Sequence, residues 1–211
     1  MSKIIKKEIE IGGRLLSFEV GHLAEQADMA VFGQYGETCV LVTVTSGGPK
    51  PAMDYFPLRV DYLEKYYAGG VIKGSRWVKR EGRPSDEATL AARLIDRSIR
   101  PRFAKGYMDE VHVVITVLSV DEENDPILLG ALTTFAALNF SSLPWQGPLS
   151  AVTVGREGNK FILNPTNKQK EESDLDLLVS GIDERVVMIE GVSNQVSRQV
   201  MAEAIEFGQK S

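Results

Sequence analysis

Residues Ile5 to Ile11 place apolar side chains at a period of two, Gly12-Gly13 interrupts them, and the pattern resumes from Leu15 to Val20. A period of two puts alternate residues on opposite faces of a sheet, and two adjacent glycines supply the positive φ angles of a tight turn. The chain is therefore expected to open as an antiparallel β-hairpin. A second pair of strands follows at Ala27 to Phe32 and Thr38 to Thr45, joined through Gly33-Gln34-Tyr35-Gly36, and Phe56 to Tyr62 reads as a further strand. Together these predict a mostly antiparallel sheet.

The pattern then changes. Pro84-Ser85 leads into Asp86 to Ile99, where Ser85 can cap and Asp86-Glu87 suit the positive end of a helix, and Pro101 ends it. Val111 to Val120 is a β-branched run expected to be a buried strand, and Asp125-Pro126 starts a helix running to about Leu138. Strand candidates return at Ala151 to Val154, Phe161 to Leu163, Leu175 to Val179 and Val186 to Glu190. A final helix carries Val196, Val200, Ala204 and Phe207 on one face. With no solenoid repeat, low-complexity tract or evident linker, the 211 residues read as one α+β domain, residues 1–211.

The N-terminal Lys3, Lys6, Lys7 and Glu8 stand where a secretory signal needs an apolar core, and no stretch approaches the roughly 20 apolar residues of a membrane span. A soluble, cytoplasmic protein is expected. The single cysteine, Cys39, lies in the apolar run Cys39-Val40-Leu41-Val42 and reads as a packed thiol in a reducing compartment.

The net charge of -5 argues at first against a polyanionic partner, but the average hides the distribution. Between Lys73 and Lys105 ten basic residues face four acidic ones, a surplus of +6 that leaves -11 for the remainder. Arg93, Arg97 and Arg100 are spaced by four and three on the predicted helix, so their side chains share one face while Ala91, Ile95 and Ile99 lie opposite. Guanidinium groups are always charged and can bond two phosphate oxygens at once. Just upstream, Arg76-Trp77-Val78-Lys79-Arg80 combines cations with an aromatic face on which a base can stack, as single-strand grooves do. The bland alternative is a solvated helix face whose arginines pair with nearby acids.

Other chemistries fit poorly. Gly69-Gly70-Val71-Ile72-Lys73-Gly74-Ser75 lacks the lysine expected between the second glycine and the hydroxyl residue of a nucleoside-triphosphate loop. His22 and His112 are far apart and without neighbouring cysteines, which gives no zinc pattern, and Asp121 to Asp125 reads as a solvated acidic turn.

Glu81-Gly82-Arg83-Pro84-Ser85 followed by Ala92-Arg93-Leu94-Ile95-Asp96-Arg97-Ser98-Ile99-Arg100-Pro101 resembles the N-terminal domain of bacterial polynucleotide phosphorylases. The resemblance extends through Asp54 to Leu58, Leu163-Asn164-Pro165-Thr166, Leu175-Asp176-Leu177 and Phe207-Gly208. It implies an RNase PH-like fold, mixed mostly antiparallel sheets packed with helices. It also implies a trimeric ring that removes nucleotides from the 3′ end of single-stranded RNA with phosphate and Mg²⁺, reversibly releasing nucleoside diphosphates. In that family a second RNase PH-type domain, a helical segment and KH and OB-fold domains accompany the first.

The family's pore loop maps onto Trp77-Val78-Lys79-Arg80 and its arginine helix onto Arg93, Arg97 and Arg100. Where the family loop has two phenylalanines then two arginines, this chain has Val78 and Lys79 and one inserted residue. That leaves one stacking platform, worth on the order of 1–3 kcal/mol per base. The family's catalytic half holds phosphate on a hydroxyl-rich turn at a helix start and uses an Asp-x-Lys pair. Here that turn reads Asp125 to Gly130 without a hydroxyl, and Asp176-Leu177-Leu178 keeps the aspartate but has leucine in the lysine's place. Asp176 is expected to be a remnant, with no Mg²⁺ bound to this domain.

Three functions remain open at this point. The chain is the RNA-holding and assembly half of a phosphorolytic exoribonuclease, or a self-sufficient small RNase PH-like enzyme, or an assembly module whose arginines pair only with acids of a partner.

Overall fold

A computed structural model describes residues 4–49, 53–72, 82–183 and 185–211. The first hairpin joins β1 (Ile5–Ile11) to β2 (Arg14–Val20) through Gly12 and Gly13 at φ +59° and +75°, the left-handed values a two-residue turn requires. From there β3 (Met29–Tyr35), β4 (Thr38–Pro49), β5 (Leu58–Glu64) and β6 (Asp109–Ser119) complete a six-stranded sheet in the order β1-β2-β3-β4-β6-β5. All its neighbours are antiparallel except β5 and β6, whose parallel pairing is bridged by α1 (Asp86–Ile99).

β3 runs on to Tyr35, into the Gly33 to Gly36 turn expected from the sequence. Gly33 sits mid-strand opposite Val40, and the turn is confined to Gly36-Glu37. The glycine serves a close approach: a Cβ there would lie 2.0 Å from Thr133 Oγ1 on α2 (Pro126–Phe140). α2 is apolar on every side because it lies between two sheets. It packs on β3 and β4 on one side and on β7 (Ser150–Glu157) on the other. Its buried hydroxyls, Thr133 and Thr134, donate to Leu129 and Gly130 carbonyls at 2.7 Å.

The second sheet is antiparallel in the order β10-β9-β7-β8, with β8 Lys160–Leu163, β9 Leu175–Ile182 and β10 Arg185–Ser193. Alternation along β9 divides its duties. Leu175, Leu177 and Val179 enter a core closed by α4 (Arg198–Lys210), whereas Leu178 faces the first sheet and joins the main core. The layers are therefore sheet, helices α1 and α2, sheet, and α4. A short α3 (Asn167–Glu172), not anticipated in the sequence reading, begins with a capping box in which Thr166 and Gln169 exchange hydrogen bonds. No helix among the described residues is long and apolar enough to cross a membrane.

Candidate nucleic-acid interface

α1 is placed by its buried side. Ala88, Ala91, Ile95, Ser98 and Ile99 pack inward, Ser85 caps by accepting from Ala88 N at 3.0 Å, and Asp86 and Glu87 occupy the first turn. That packing turns Arg93, Arg97 and Arg100 outward, all exposed, but the three are not equivalent.

Arg100 is tied into its own chain. Its guanidinium donates to both carboxylate oxygens of Asp96 at 2.7 and 2.6 Å and to the Phe56 and Leu58 carbonyls at 3.1 Å each, and it lies 5.7 Å from the Phe56 ring centroid. Arg97 donates to Glu190 of β10, across the gap between α1 and the second sheet. Arg93 has no hydrogen-bond or ion-pair partner among the described residues. Arg93 and Arg97 border a hollow of about 370 Å³ lined also by Leu90, Ala91, Leu94 and Ile127 and by Glu87 and Glu190. Trp77, Lys79 and Arg80 lie outside the described residues.

Where the resemblance puts a phosphate-holding turn, the N-terminus of α2 is filled from within. Asp125 Oδ1 accepts from Ile127 N at 2.8 Å, and Asp125 Oδ2 accepts from Lys170 Nζ at 2.7 Å. The same ammonium stands 3.4 Å from Asp176 Oδ2. Burial alone would push Lys170 down, but the charges and hydrogen bonds of Asp125 and Asp176 outweigh it and hold its pKa above the ordinary lysine value. Leu178, two residues on, is buried at 8% exposure and offers no charge.

α3 presents Lys170 there because its start is docked on the turn that precedes α2: Asn167 Nδ2 donates to the Glu122 carbonyl at 2.7 Å. Asp121 organises that turn. Its carboxylate accepts from the Glu37, Thr38, Glu123 and Asn124 amides and from the Thr38 hydroxyl and Asn124 amide side chain, at 2.6 to 3.2 Å. Burial would raise its pKa, yet the bonds from Asn124, Glu37 and Glu123 hold the carboxyl well below the usual carboxylate range. The acidic turn thus spends its first carboxylate as an internal clasp. Among the histidines, His112 Nε2 lies 2.8 Å from Asp61 Oδ2 on the neighbouring strand, and His22 lies near Glu19.

Asp176 therefore faces a lysine ammonium, a poor setting for a divalent cation. Among the described residues no group of three His, Cys, Asp or Glu side chains could hold one. The residues here do not fit Mg²⁺.

Residues 12–144 match the 3′ exoribonuclease family, domain 1, and residues 147–211 match domain 2 of that family. The chain belongs to the 3′ exoribonuclease family. Its whole length aligns at 48% identity with the polyribonucleotide nucleotidyltransferase of Rhodospirillum centenum, covering 30% of that protein. The corresponding protein of Brucella ovis is 50% identical over 207 residues, 98% of this chain and 29% of that one. The chain thus spans about three tenths of the length of the curated relatives it matches.

The likeness to polynucleotide phosphorylases rests on these relatives, and solved structures establish the RNase PH-like fold. A chain of the Archaeoglobus fulgidus exosome with RNA bound to the active site superposes with a TM-score of 0.71 at 19% identity, covering 99% of this chain and 85% of that chain. Rice (Oryza sativa) Rrp46 gives 0.69 at 12% identity, covering 97% and 86%.

Sequence reasoning missed Lys170 and Glu190. The pattern Thr166-x-x-Gln169 was a readable signal for α3 and hence for Lys170. Nothing local marked Glu190, because its partner is 93 residues away.

Proposed function

We propose that residues 1–211 form one RNase PH-type domain of a cytoplasmic 3′-to-5′ phosphorolytic exoribonuclease. The enzyme cleaves RNA with phosphate, reversibly, to nucleoside diphosphates, assembles as a homotrimeric ring and serves RNA degradation. Within it this domain binds and threads single-stranded RNA through Arg93 and Arg97, with Trp77, Lys79 and Arg80 as the neighbouring contacts, and supports ring assembly. The Mg²⁺-dependent chemistry belongs elsewhere in the full enzyme.

One observation carries this division of labour: α1 turns outward Arg93, unpaired among the described residues, and Arg97, in a half-exposed pair with Glu190, while the α2 N-terminus is filled by Asp125 and Lys170. An anion-binding helix end that already holds a carboxylate, itself neutralised by an internal ammonium, has little left to offer a phosphate. The assembly-only reading, in which the arginines pair only with acids of a partner, finds Arg97 and Arg100 already paired within the chain and is left with Arg93.

The test is binding of single-stranded RNA by the purified chain across a salt series, with diphosphate release measured after adding phosphate and Mg²⁺. The expected result is salt-sensitive binding without product, with R93A flattening the logarithmic salt slope by about 0.7, the value of one single-strand phosphate contact. Product from the chain alone would overturn the remnant assignment of Asp176. Absence of binding would leave the assembly role.

A further inference from the structure

Arg93 and Arg97 stand one helical turn apart on α1, but among the described residues only Arg97 is ion-paired, to Glu190. Glu190 is held there by the sheet. It lies opposite Leu178 in the β9–β10 ladder, and Leu178 is anchored in the main core. The two charged side chains meet in the open, 54% and 50% exposed, beside the hollow they line with Leu90, Leu94 and Ile127. Arg100 differs in kind, because two backbone carbonyls and Asp96 share its guanidinium.

We infer that Glu190 is a built-in stand-in for an RNA phosphate, so that RNA meets Arg93 directly and reaches Arg97 only by displacing the Glu190 carboxylate. This rests on the RNA-holding reading of α1 given above. A carboxylate and a phosphate both offer paired oxygens to a guanidinium. An exposed ion pair shifts an equilibrium by no more than a factor of about five, so a polyanion that also releases counterions can take Arg97 over. Breaking the Arg97–Glu190 pair takes back part of the free energy of the new contact, which keeps it weak enough for RNA to move along the face. β10 thereby sets the affinity of an arginine that α1 presents.

A double-mutant cycle tests the exchange, using the full chain and a single-stranded oligoadenylate at low salt. Glutamine keeps the shape of the Glu190 side chain, so E190Q should tighten binding about three- to fivefold, R97A should weaken it, and E190Q should add nothing in the R97A background. If the gain from E190Q survives in R97A, Glu190 is only a repelling charge and the exchange is wrong. If E190Q changes nothing while R93A still weakens binding, the inference fails and the RNA-holding reading stands. If the wild type does not bind, or R93A binds as the wild type does, the reading beneath the inference fails instead.

Discussion

Replacing Lys170 by methionine keeps a long side chain in place and removes the one cation between two carboxylates. Asp125 Oδ2 and Asp176 Oδ2 lie 2.7 and 3.4 Å from the same nitrogen, so they are no more than about 6 Å apart. Two unit charges at that distance repel by about 3 kcal/mol at an effective dielectric constant near 20 and by under about 1 kcal/mol in water. Asp176 is 43% exposed and Asp125 22%, which places the repulsion between these limits, at about 1–2 kcal/mol. The lost charge-assisted hydrogen bond to Asp125 adds about 1–2 kcal/mol.

K170M should therefore destabilise the fold by about 2–4 kcal/mol, which lowers the melting temperature of a domain this size by about 5–10 °C. Scanning calorimetry at neutral pH measures it, and the D125N/D176N background supplies the control, since without the carboxylates the same substitution should cost almost nothing. Because the folded pKa of Lys170 is raised, its contribution is complete below the ordinary lysine value, near pH 10, and is lost only as pH rises through the raised one. A K170M protein melting within about 2 °C of the wild type, or an equal loss in the carboxamide background, would refute this account of the cluster.

Two further expectations concern the frame that holds the site. A G33A chain must move Thr133 or α2 to clear the 2.0 Å approach, at a cost of about 1–3 kcal/mol in chemical denaturation, and T133A should restore much of it. Asp121 has a lowered folded pKa, so the stability it contributes is present above its ordinary value, near pH 4, and drains away as pH falls through the folded one. D121N should cost about 2–4 kcal/mol at neutral pH and flatten the acid side of the stability profile.

What the sequence disclosed depended on how local the cause was. The Gly12-Gly13 turn and the full extent of α1, Asp86 to Ile99, were legible because turn glycines, a capping serine and a stopping proline act on their own neighbours. The end of β3 was misread because Gly33 answers to Thr133, a hundred residues away, and not to a turn. β5 begins at Leu58, two residues later than its apolar pattern suggested, because Phe56 is drawn into an aromatic cluster with Phe103 and Tyr107. The arginine stripe followed from helical period alone. That Arg100 is bonded within its own chain, Arg97 paired with Glu190 and Arg93 unpaired among the described residues required the tertiary positions of Asp96, Glu190 and the Phe56 and Leu58 carbonyls.

The two ends of the site fit a single electrostatic logic. At the α2 N-terminus a carboxylate and a lysine from α3 satisfy each other at 22% and 18% exposure, where a charge left alone would be costly, so the pair is kept closed. On α1 the corresponding pair, Arg97 with Glu190, is half exposed, where separating the charges costs little. The same kind of contact is thus a lock in one place and an exchangeable partner in the other, and burial decides which. It follows that acids added around Arg93 should weaken RNA binding in proportion to charge, whereas changes around Lys170 should register in stability and leave binding almost unmoved.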